Sequence, residues 1–535
     1  MHLMKQDIDH IRIKERLTLD TEQKAGLNQL TILVIDDCKT STVLIRQQLI
    51  SLGADTNNIT CVHSASEALS TAKSRFYSCL IVDYHLSYNF TGVELINLMS
   101  RAKVISDTTA VLMISGDASQ ETVLTALSGR VRYMLTKPLQ TKALKARILA
   151  GMKEQTDLAN VEQQLCKLNK VSLNELISIK RQYPNSLNVE SLLIDTLVEQ
   201  QMHSDLEAFL PFCSTKDHAS KVCAEAFLLL HKGQLQQAAM TLSDFVTRNP
   251  LCLRAIDNLT GLYESLNELN TAFTYAYRAF ELTPSSSQRM ITAVRITSKL
   301  GNLSKLYELG HTFAQKVSAT DSLWLNAMFS YVDFIMEHFK KLNTPQSRKE
   351  MLHNLNTMFL LIHRQLHTQQ RVALSAFKQL TQCRLLLTDG EPEKAHKKLL
   401  FALSHYYENL YKMPLVMLRH SLPLLEHFGE LSIRHSLVLL SRSNTSDHKL
   451  LLEEKDHPRD FSQERYPFSI EMKLLSLCND DALKKNQAEQ NTVQYLQKCS
   501  LPPNWNMWLN DYISGAFSTT LPPPFDIRAT QGEAS

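Results

Sequence analysis

This 535-residue chain lacks several features, and each absence closes off a class of function. No stretch approaches the roughly 20 uninterrupted apolar residues that a membrane-spanning helix requires, so no membrane association is expected. The opening residues, MHLMKQDIDHIRIKER, hold no apolar segment of the kind a secretory leader carries, and a cytoplasmic location is expected. The ten cysteines form no C-x-x-C pair and no framework spacing; several, such as Cys79, lie inside apolar runs and read as reduced thiols. Charge of neither sign dominates, since Lys plus Arg number 57 against 54 Asp plus Glu, which removes the general argument for a polyanionic partner. A Gly-rich phosphate loop, a basic recognition helix with helix-turn-helix spacing and the G-G-D-E-F and E-A-L signatures of cyclic-dinucleotide enzymes are absent too. Nucleic acid is therefore not an expected partner.

What is there begins with Leu30 to Asp37, LTILVIDD, an apolar run that ends abruptly in two adjacent carboxylates. Such a run reads as a buried parallel strand, and its C-terminal end delivers two acids to the edge where open α/β sheets place their ligands. Three more runs end in polar residues: Ser78 to Asp83 (SCLIVD), Thr109 to Gly116 (TAVLMISG) and Arg132 to Pro138 (RYMLTKP). A carboxylate pair, a lone carboxylate, a hydroxyl and a lysine at four strand ends can converge on one pocket. That pocket would suit a divalent cation and a phosphoryl group. Crowded carboxylates repel, and Mg²⁺ offsets the repulsion while accepting further oxygen ligands. An Asp carboxylate is also a competent nucleophile toward an activated phosphoryl group. A fifth strand is expected at Ile59 to Ser64, and helices near Thr40 to Leu52, Ser66 to Arg75, Gly92 to Ala102, Ser119 to Leu127 and from Thr141. Alternation of this kind predicts a doubly wound, five-stranded parallel sheet of the flavodoxin-like kind.

The set Asp36, Asp37, Asp83, Ser115 and Lys137-Pro138, in this order across roughly Gln29 to Gln155, resembles the receiver domain of two-component response regulators. The resemblance implies that Asp83 is the phosphoacceptor and that Mg²⁺ is held by Asp36, Asp37, Asp83 and the backbone carbonyl of His85. It further implies that Ser115 bonds a phosphoryl oxygen and that Lys137 supplies the countercharge. The implied donor is a phosphohistidine on a sensor histidine kinase or phosphotransfer protein, and receiver pairing, hence a homodimer, is an implied assembly. Three positions depart from the family pattern. Leu86-Ser87 stands where Met-Pro is usual, Gly92 follows Asp83 about one residue late, and Met134 lies three before Lys137 where Tyr or Phe is usual. His85 and Met134 are therefore expected to modulate the site.

The expected organisation runs from a polar arm (1–29) through the receiver (30–140) and a helical connector (141–180) into helical repeats (181–320). Further helical hairpins (321–442), a linker with a short helical region (443–518) and a disordered, proline-containing tail (519–535) follow. The repeat is visible as Gly233, Ala238 and Pro250 returning 34 residues later as Asn267, Ala272 and Pro284, with the glycine position back at Gly301. This period resembles tetratricopeptide (TPR) repeats, which implies an α-helical solenoid with a protein partner in its grooves. A hairpin at Asp389 to Ala402 repeats the Gly-to-Ala spacing at Gly390 and Ala395. His363 and His367, four apart on one expected helix, could face a metal together, but LLIHRQLHTQQ lacks the glutamate and third ligand of a zinc hydrolase. His396, His405 and His420 share no spacing and read as surface or packing residues; Lys394, Lys397 and Lys398 read as one solvated helix face.

The expected fold is thus α/β followed by all-α. The expected function is a response regulator whose output is a helical protein-interaction scaffold, with no enzymatic signature beyond self-phosphorylation from a phosphodonor. Two other readings stay open: a constitutive adaptor with an unphosphorylated receiver, and an effector activity within residues 321–518.

Overall fold

A computed structural model describes residues 27–515, except 88–89, 118, 128–130, 132, 168–171, 216, 319, 343, 408–411, 431–432, 439–469, 471–472, 475–476, 478–486, 500 and 502. The expected tail, most of the N-terminal arm and much of the expected linker lie outside the described residues. The chain divides into two compact units, residues 1–327 and 328–535.

The first unit opens with five parallel strands: β1 (Ile32–Ile35), β2 (Ile59–Val62), β3 (Cys79–Asp83), β6 (Ala110–Ser115) and β7 (Tyr133–Thr136), in the order β2-β1-β3-β6-β7. Every residue of β1, β3 and β6 is buried, which is why these segments read as unbroken apolar runs rather than alternating ones. Successive side chains still go to opposite faces. Leu33, Ile35, Leu80, Val82, Val111 and Met113 pack on one side with Ala68 and Ala72 of α2 (Ala65–Ser74) and Leu95, Ile96 and Met99 of α3 (Gly92–Arg101). Ile32, Val34, Cys79, Ile81, Leu112 and Ile114 pack on the other, against Ile45 and Leu49 of α1 (Lys39–Ser51) and Leu144, Ile148 and Met152 of α5 (Thr141–Lys167). A fourth helix, α4 (Gln120–Leu127), joins β6 to β7.

One element is absent from the sequence expectation. Between Asp83 and Gly92 the chain forms a small antiparallel hairpin, β4 (His85–Ser87) with β5 (Phe90–Thr91), whose register shifts between His85 and Ser87. That irregularity accommodates the extra residue before Gly92. Gly92 itself has no substitute. A Cβ on it would lie 2.2 Å from the Asp83 carbonyl oxygen and 2.9 Å from Val82 Cγ1.

Helix α5 runs for 27 residues without a break and carries the chain out of the α/β part. It is tied on two sides at its midpoint, Glu154: the Tyr133 hydroxyl donates to Glu154 Oε1 at 2.5 Å, and Asn188 Nδ2 donates to Glu154 Oε2 at 2.9 Å. Then come α6 (Leu173–Gln182), α7 (Leu187–Glu199), α8 (His203–Phe209), α9 (Ala219–His231), α10 (Leu235–Arg248), α11 (Leu253–Ser265), α12 (Leu269–Leu282), α13 (Ser287–Lys299) and α14 (Leu303–Lys316). From α9 onward each helix packs on the next. Gly233, Asn267 and Gly301, in the turns α9/α10, α11/α12 and α13/α14, all have left-handed backbone, with φ of 74°, 60° and 69°. The positions recurring every 34 residues are therefore the ones where the turn needs positive φ, a conformation that favours Gly and tolerates Asn. Ala238 and Ala272, five residues further on, are both fully buried. A buried ionic cluster precedes them: Glu190 of α7 accepts from Lys180 Nζ (2.9 Å), His218 Nε2 (2.8 Å) and the Ser214 amide (2.9 Å).

In the second unit, α16 (Pro345–Gln365), α17 (Thr368–Thr388), α18 (Pro392–Ser404) and α19 (Leu415–His427) follow α15 (Trp324–Phe339), within which the division falls. Gly390, with φ of 75°, turns α17 into α18, and Ala395 is buried. His363 and His367 do not share a helix, contrary to expectation. The helix stops at Leu366, which is extended and buried, so His363 lies in the last turn of α16 while His367 is the N-cap of α17. His396 is buried against Glu430 at 2.9 Å, His420 stacks on Phe329, and His405 meets Ser375 Oγ at 3.0 Å. Lys394 and Lys397 are solvated and paired with Glu391 and Glu393. Within the expected 443–518 region, α20 (Gln487–Lys498) packs with α21 (Pro503–Ser514) around Trp505 and Trp508. Among the described residues, no helix is long and apolar enough to cross a membrane.

Candidate functional site

Parallel strands present all their C-terminal ends at one edge, and the edge here collects the chain's most distinctive side chains. Asp36 follows β1, Asp83 ends β3, Ser115 ends β6 and Lys137 follows β7. The pairing holds them level: Asp83 lies beside Ile114, Ser115 beside Thr136, the Tyr84 amide donates to Ile114 O (2.8 Å) and the Lys137 amide to Ser115 O (2.8 Å).

Lys137 Nζ lies 2.8 Å from Asp36 Oδ2 and 3.1 Å from Asp83 Oδ1. Asp36 is wholly buried, and its charge is met on every side. Its Oδ1 accepts from the Cys38 amide at 2.9 Å, and its Oδ2 accepts from Ser41 Oγ as well as from Lys137. Asp37 is exposed, yet carboxylate oxygens of Asp36, Asp37 and Asp83 all lie within 4.8 Å of one another. Burial pushes the Asp83 carboxyl above the usual carboxylate range; Lys137 pulls it back, and Asp36 and Asp37 push it further up. Burial also works against the charge on Lys137, but its hydrogen bonds to Asp36 and Asp83 outweigh that and hold the ammonium above its ordinary value. Three hard oxygen donors converging beside one cation match what Mg²⁺ takes from proteins, namely one or two carboxylates with room left for other oxygens.

The Ser115 hydroxyl accepts from the Asp117 amide (3.0 Å), and Asp117 in turn caps α4 through the Ser119 amide (2.8 Å) and Thr122 Oγ1 (2.8 Å). Opposite, α3 begins with a capping box in which Glu94 accepts from the Thr91 amide at 2.8 Å and Thr91 Oγ1 accepts from the Glu94 amide. The helices that follow Asp83 and Ser115, α3 and α4, are thus both pinned at their first turns.

The other expected residues fall elsewhere. The His85 side chain is exposed on β4, its ring edge-on to Tyr84, while Leu86 is buried in the core. Met134 packs against the core on the α2/α3 side, in register with Met113, away from the carboxylates. Residues that the sequence reading did not single out also shape the site. Ser41 reaches Asp36, and Tyr84, directly after Asp83, is buried with its hydroxyl at Thr122, burial pushing that hydroxyl up to about 12. Adjacency to Asp83 was the one signal for Tyr84; Ser41 offered none.

Residues 32–149 match the family model described as the response regulator receiver domain. Among solved structures, the chain is similar to a CheY-like receiver domain protein from Methanospirillum hungatei JF-1, with 23% identity, 23% of this chain and 94% of that one covered, and a TM-score of 0.21. It is likewise similar to the Francisella response regulator 1452 receiver domain (24% identity, 23% and 98% covered, TM-score 0.21) and to NtrX from Brucella abortus in complex with ATP (19% identity, 28% and 34% covered, TM-score 0.23). No curated protein matches the chain.

Proposed function

We propose that this chain, whose residues 32–149 are a response regulator receiver domain, takes a phosphoryl group on Asp83 and relays the change to a TPR-like helical solenoid that binds a protein partner in the cytoplasm. The observation that carries the reading is the convergence of four strand ends, with Lys137 Nζ within 3.1 Å of carboxylates from two of them and a third carboxylate alongside.

A carboxylate oxygen of Asp83 attacks the phosphorus of a phosphohistidine. The new O–P bond forms as the P–N bond breaks, and the donor imidazole leaves with the electron pair. When bound, Mg²⁺ would be held by Asp36, Asp37, Asp83 and the His85 carbonyl, and would neutralise charge on the transferring oxygens. Lys137, already drawn toward Asp83, follows the phosphoryl oxygens as their countercharge. Ser115 donates its hydroxyl proton to one of them while still accepting from Asp117. Catalysis of this kind is positioning plus electrostatic stabilisation, and Lys137 is pre-placed for it.

The repeat of left-handed turns at Gly233, Asn267 and Gly301 supports the TPR-like reading of the following helices. Leu124 of α4 lines a cavity of about 610 Å³ together with Phe227, Leu230, Leu251, Arg254 and Arg289, so a displacement of α4 alters a surface of the helical array. Met134, standing in the core where an inward-swinging aromatic is usual, favours one second reading, a constitutive adaptor. Intact-mass analysis of wild type and Asp83→Asn after incubation with phosphoramidate and Mg²⁺ separates the two. One added phosphoryl group in wild type only supports the switch; no label, where a control receiver is labelled, supports the adaptor.

A further inference from the structure

The end of α14 and the residues after it touch two of the helices that leave the site, α3 and α4. Ser318 Oγ donates to Glu94 Oε1 at 2.7 Å, across 224 residues of sequence, and Lys316 Nζ pairs with Glu121 at 3.2 Å, across 195. Val317 and Thr320 beside them are buried. Glu94 stands in the first turn of α3, which follows Asp83, and Glu121 in the first turn of α4, which follows Ser115.

From each glutamate a short series of bonded groups leads back to the site. Glu94 Oε2 accepts from the Thr91 amide (2.8 Å), the next amide, Gly92, donates to Tyr84 O (2.7 Å), and Gly92 lies against the Asp83 carbonyl with no room for a Cβ. On the other side, Thr122 next to Glu121 donates to Asp117 (2.8 Å), whose amide donates to Ser115 Oγ. Tyr84 lies between the two paths, buried and directly bonded into the chain after Asp83.

We propose that Lys316 and Ser318 form a two-point latch, by which the helical array holds α3 and α4 in their unphosphorylated positions, and that phosphorylation of Asp83 releases it. The inference rests on the phosphorylation of Asp83 proposed above. Linkage makes the coupling reciprocal: a latch that phosphorylation must open opposes phosphorylation, and a chain without the latch is phosphorylated more readily by the same factor.

The test uses the full chain with phosphoramidate and Mg²⁺, reading the extent and rate of labelling and hydrogen exchange at residues 90–101, 119–127 and 303–327. Lys316→Glu with Ser318→Ala should raise the labelling equilibrium about fivefold or more, a coupling of ordinary size. The same variant should raise exchange in the first turns of α3 and α4 before any donor is added. Ser318→Thr, which keeps the hydroxyl, should stay within about twofold of wild type. Adding Glu121→Lys to Lys316→Glu should restore wild-type labelling, which a general loosening of the fold could not do. In wild type, phosphorylation should raise exchange at 303–327, and Asp83→Asn should show no such rise. Unchanged labelling and exchange in the latch variants, with wild type labelled on Asp83, would overturn the latch alone. No label on wild-type Asp83 would overturn both the latch and the reading beneath it.

Discussion

Gly92→Ala isolates the close approach on which the Asp83 loop depends. The added Cβ would sit 2.2 Å from the Asp83 carbonyl oxygen, 2.9 Å from Val82 Cγ1 and 3.0 Å from Met113 Sδ. Ordinary separations between such atoms are about 3.5 Å, so the nearest pair must part by about 1 Å. The nearest atom is backbone, and no rotamer can relieve the clash. Overpacking of this kind costs roughly 1–3 kcal/mol, and Ala's advantage over Gly in a helix returns at most about 1 kcal/mol of it. The displaced group is the main chain of the proposed phosphoacceptor, so labelling by phosphoramidate should slow by about tenfold, equivalent to about 1.4 kcal/mol in the barrier. Gly116→Ala is the matched control, since a Cβ there meets nothing within 4 Å. Hydrogen exchange of residues 79–101 is the right stability readout, because a chain with two compact units does not unfold as one two-state system. Wild-type protection together with a wild-type labelling rate in Gly92→Ala would refute the reasoning. Lost protection with normal labelling would confine Gly92 to packing.

Lys137→Gln should slow labelling by at least tenfold while leaving affinity for Mn²⁺ equal to or tighter than in wild type, because a cation competing for Asp36 and Asp83 has been removed; weaker Mn²⁺ binding would count against this account. Glu190→Gln leaves the buried Lys180 without its counter-charge and should destabilise the α6–α9 region by about 3–5 kcal/mol, visible as faster exchange there and nowhere in the sheet. The same carboxyl titrates. Burial opposes its charge, but Lys180, the Ser214 amide and His218 outweigh that and hold it below its ordinary 4.5. Its folded value being the lower one, its contribution is complete above about pH 4.5 and fades as acid is added through the folded value; urea midpoints for this region should fall in that window in wild type and stay flatter in Glu190→Gln. Asn267→Ala forces a side chain without local hydrogen bonding into φ of 60° and should cost about 1–2 kcal/mol in the α11/α12 pair, whereas Asn267→Gly should be neutral or stabilising by thermal unfolding.

Where one residue's own backbone or burial settles its identity, the sequence alone was enough to read the structure. Strands buried on both faces must be apolar throughout, so LTILVID, SCLIVD and TAVLMIS announce themselves, and parallel order then gathers their polar last residues at one edge. Turns needing positive φ select Gly or Asn, so Gly233, Asn267 and Gly301 mark the helix pairs at a fixed interval. Tertiary structure decided what no local pattern encodes. LLIHRQLHTQQ has helical composition throughout, yet it breaks at Leu366, which is extended and buried, and this separates His363 from His367. The β4/β5 hairpin arises from a loop forced to return Gly92 against Asp83. Glu94, Glu121 and Glu154 have partners far away in sequence, Ser318, Lys316 and Asn188, and Ser318 and Lys316 look in sequence like any solvated helix end. Propensity and periodicity are properties of neighbouring residues, whereas a hydrogen bond across 224 positions depends on how whole helices pack, and only the folded chain sets that.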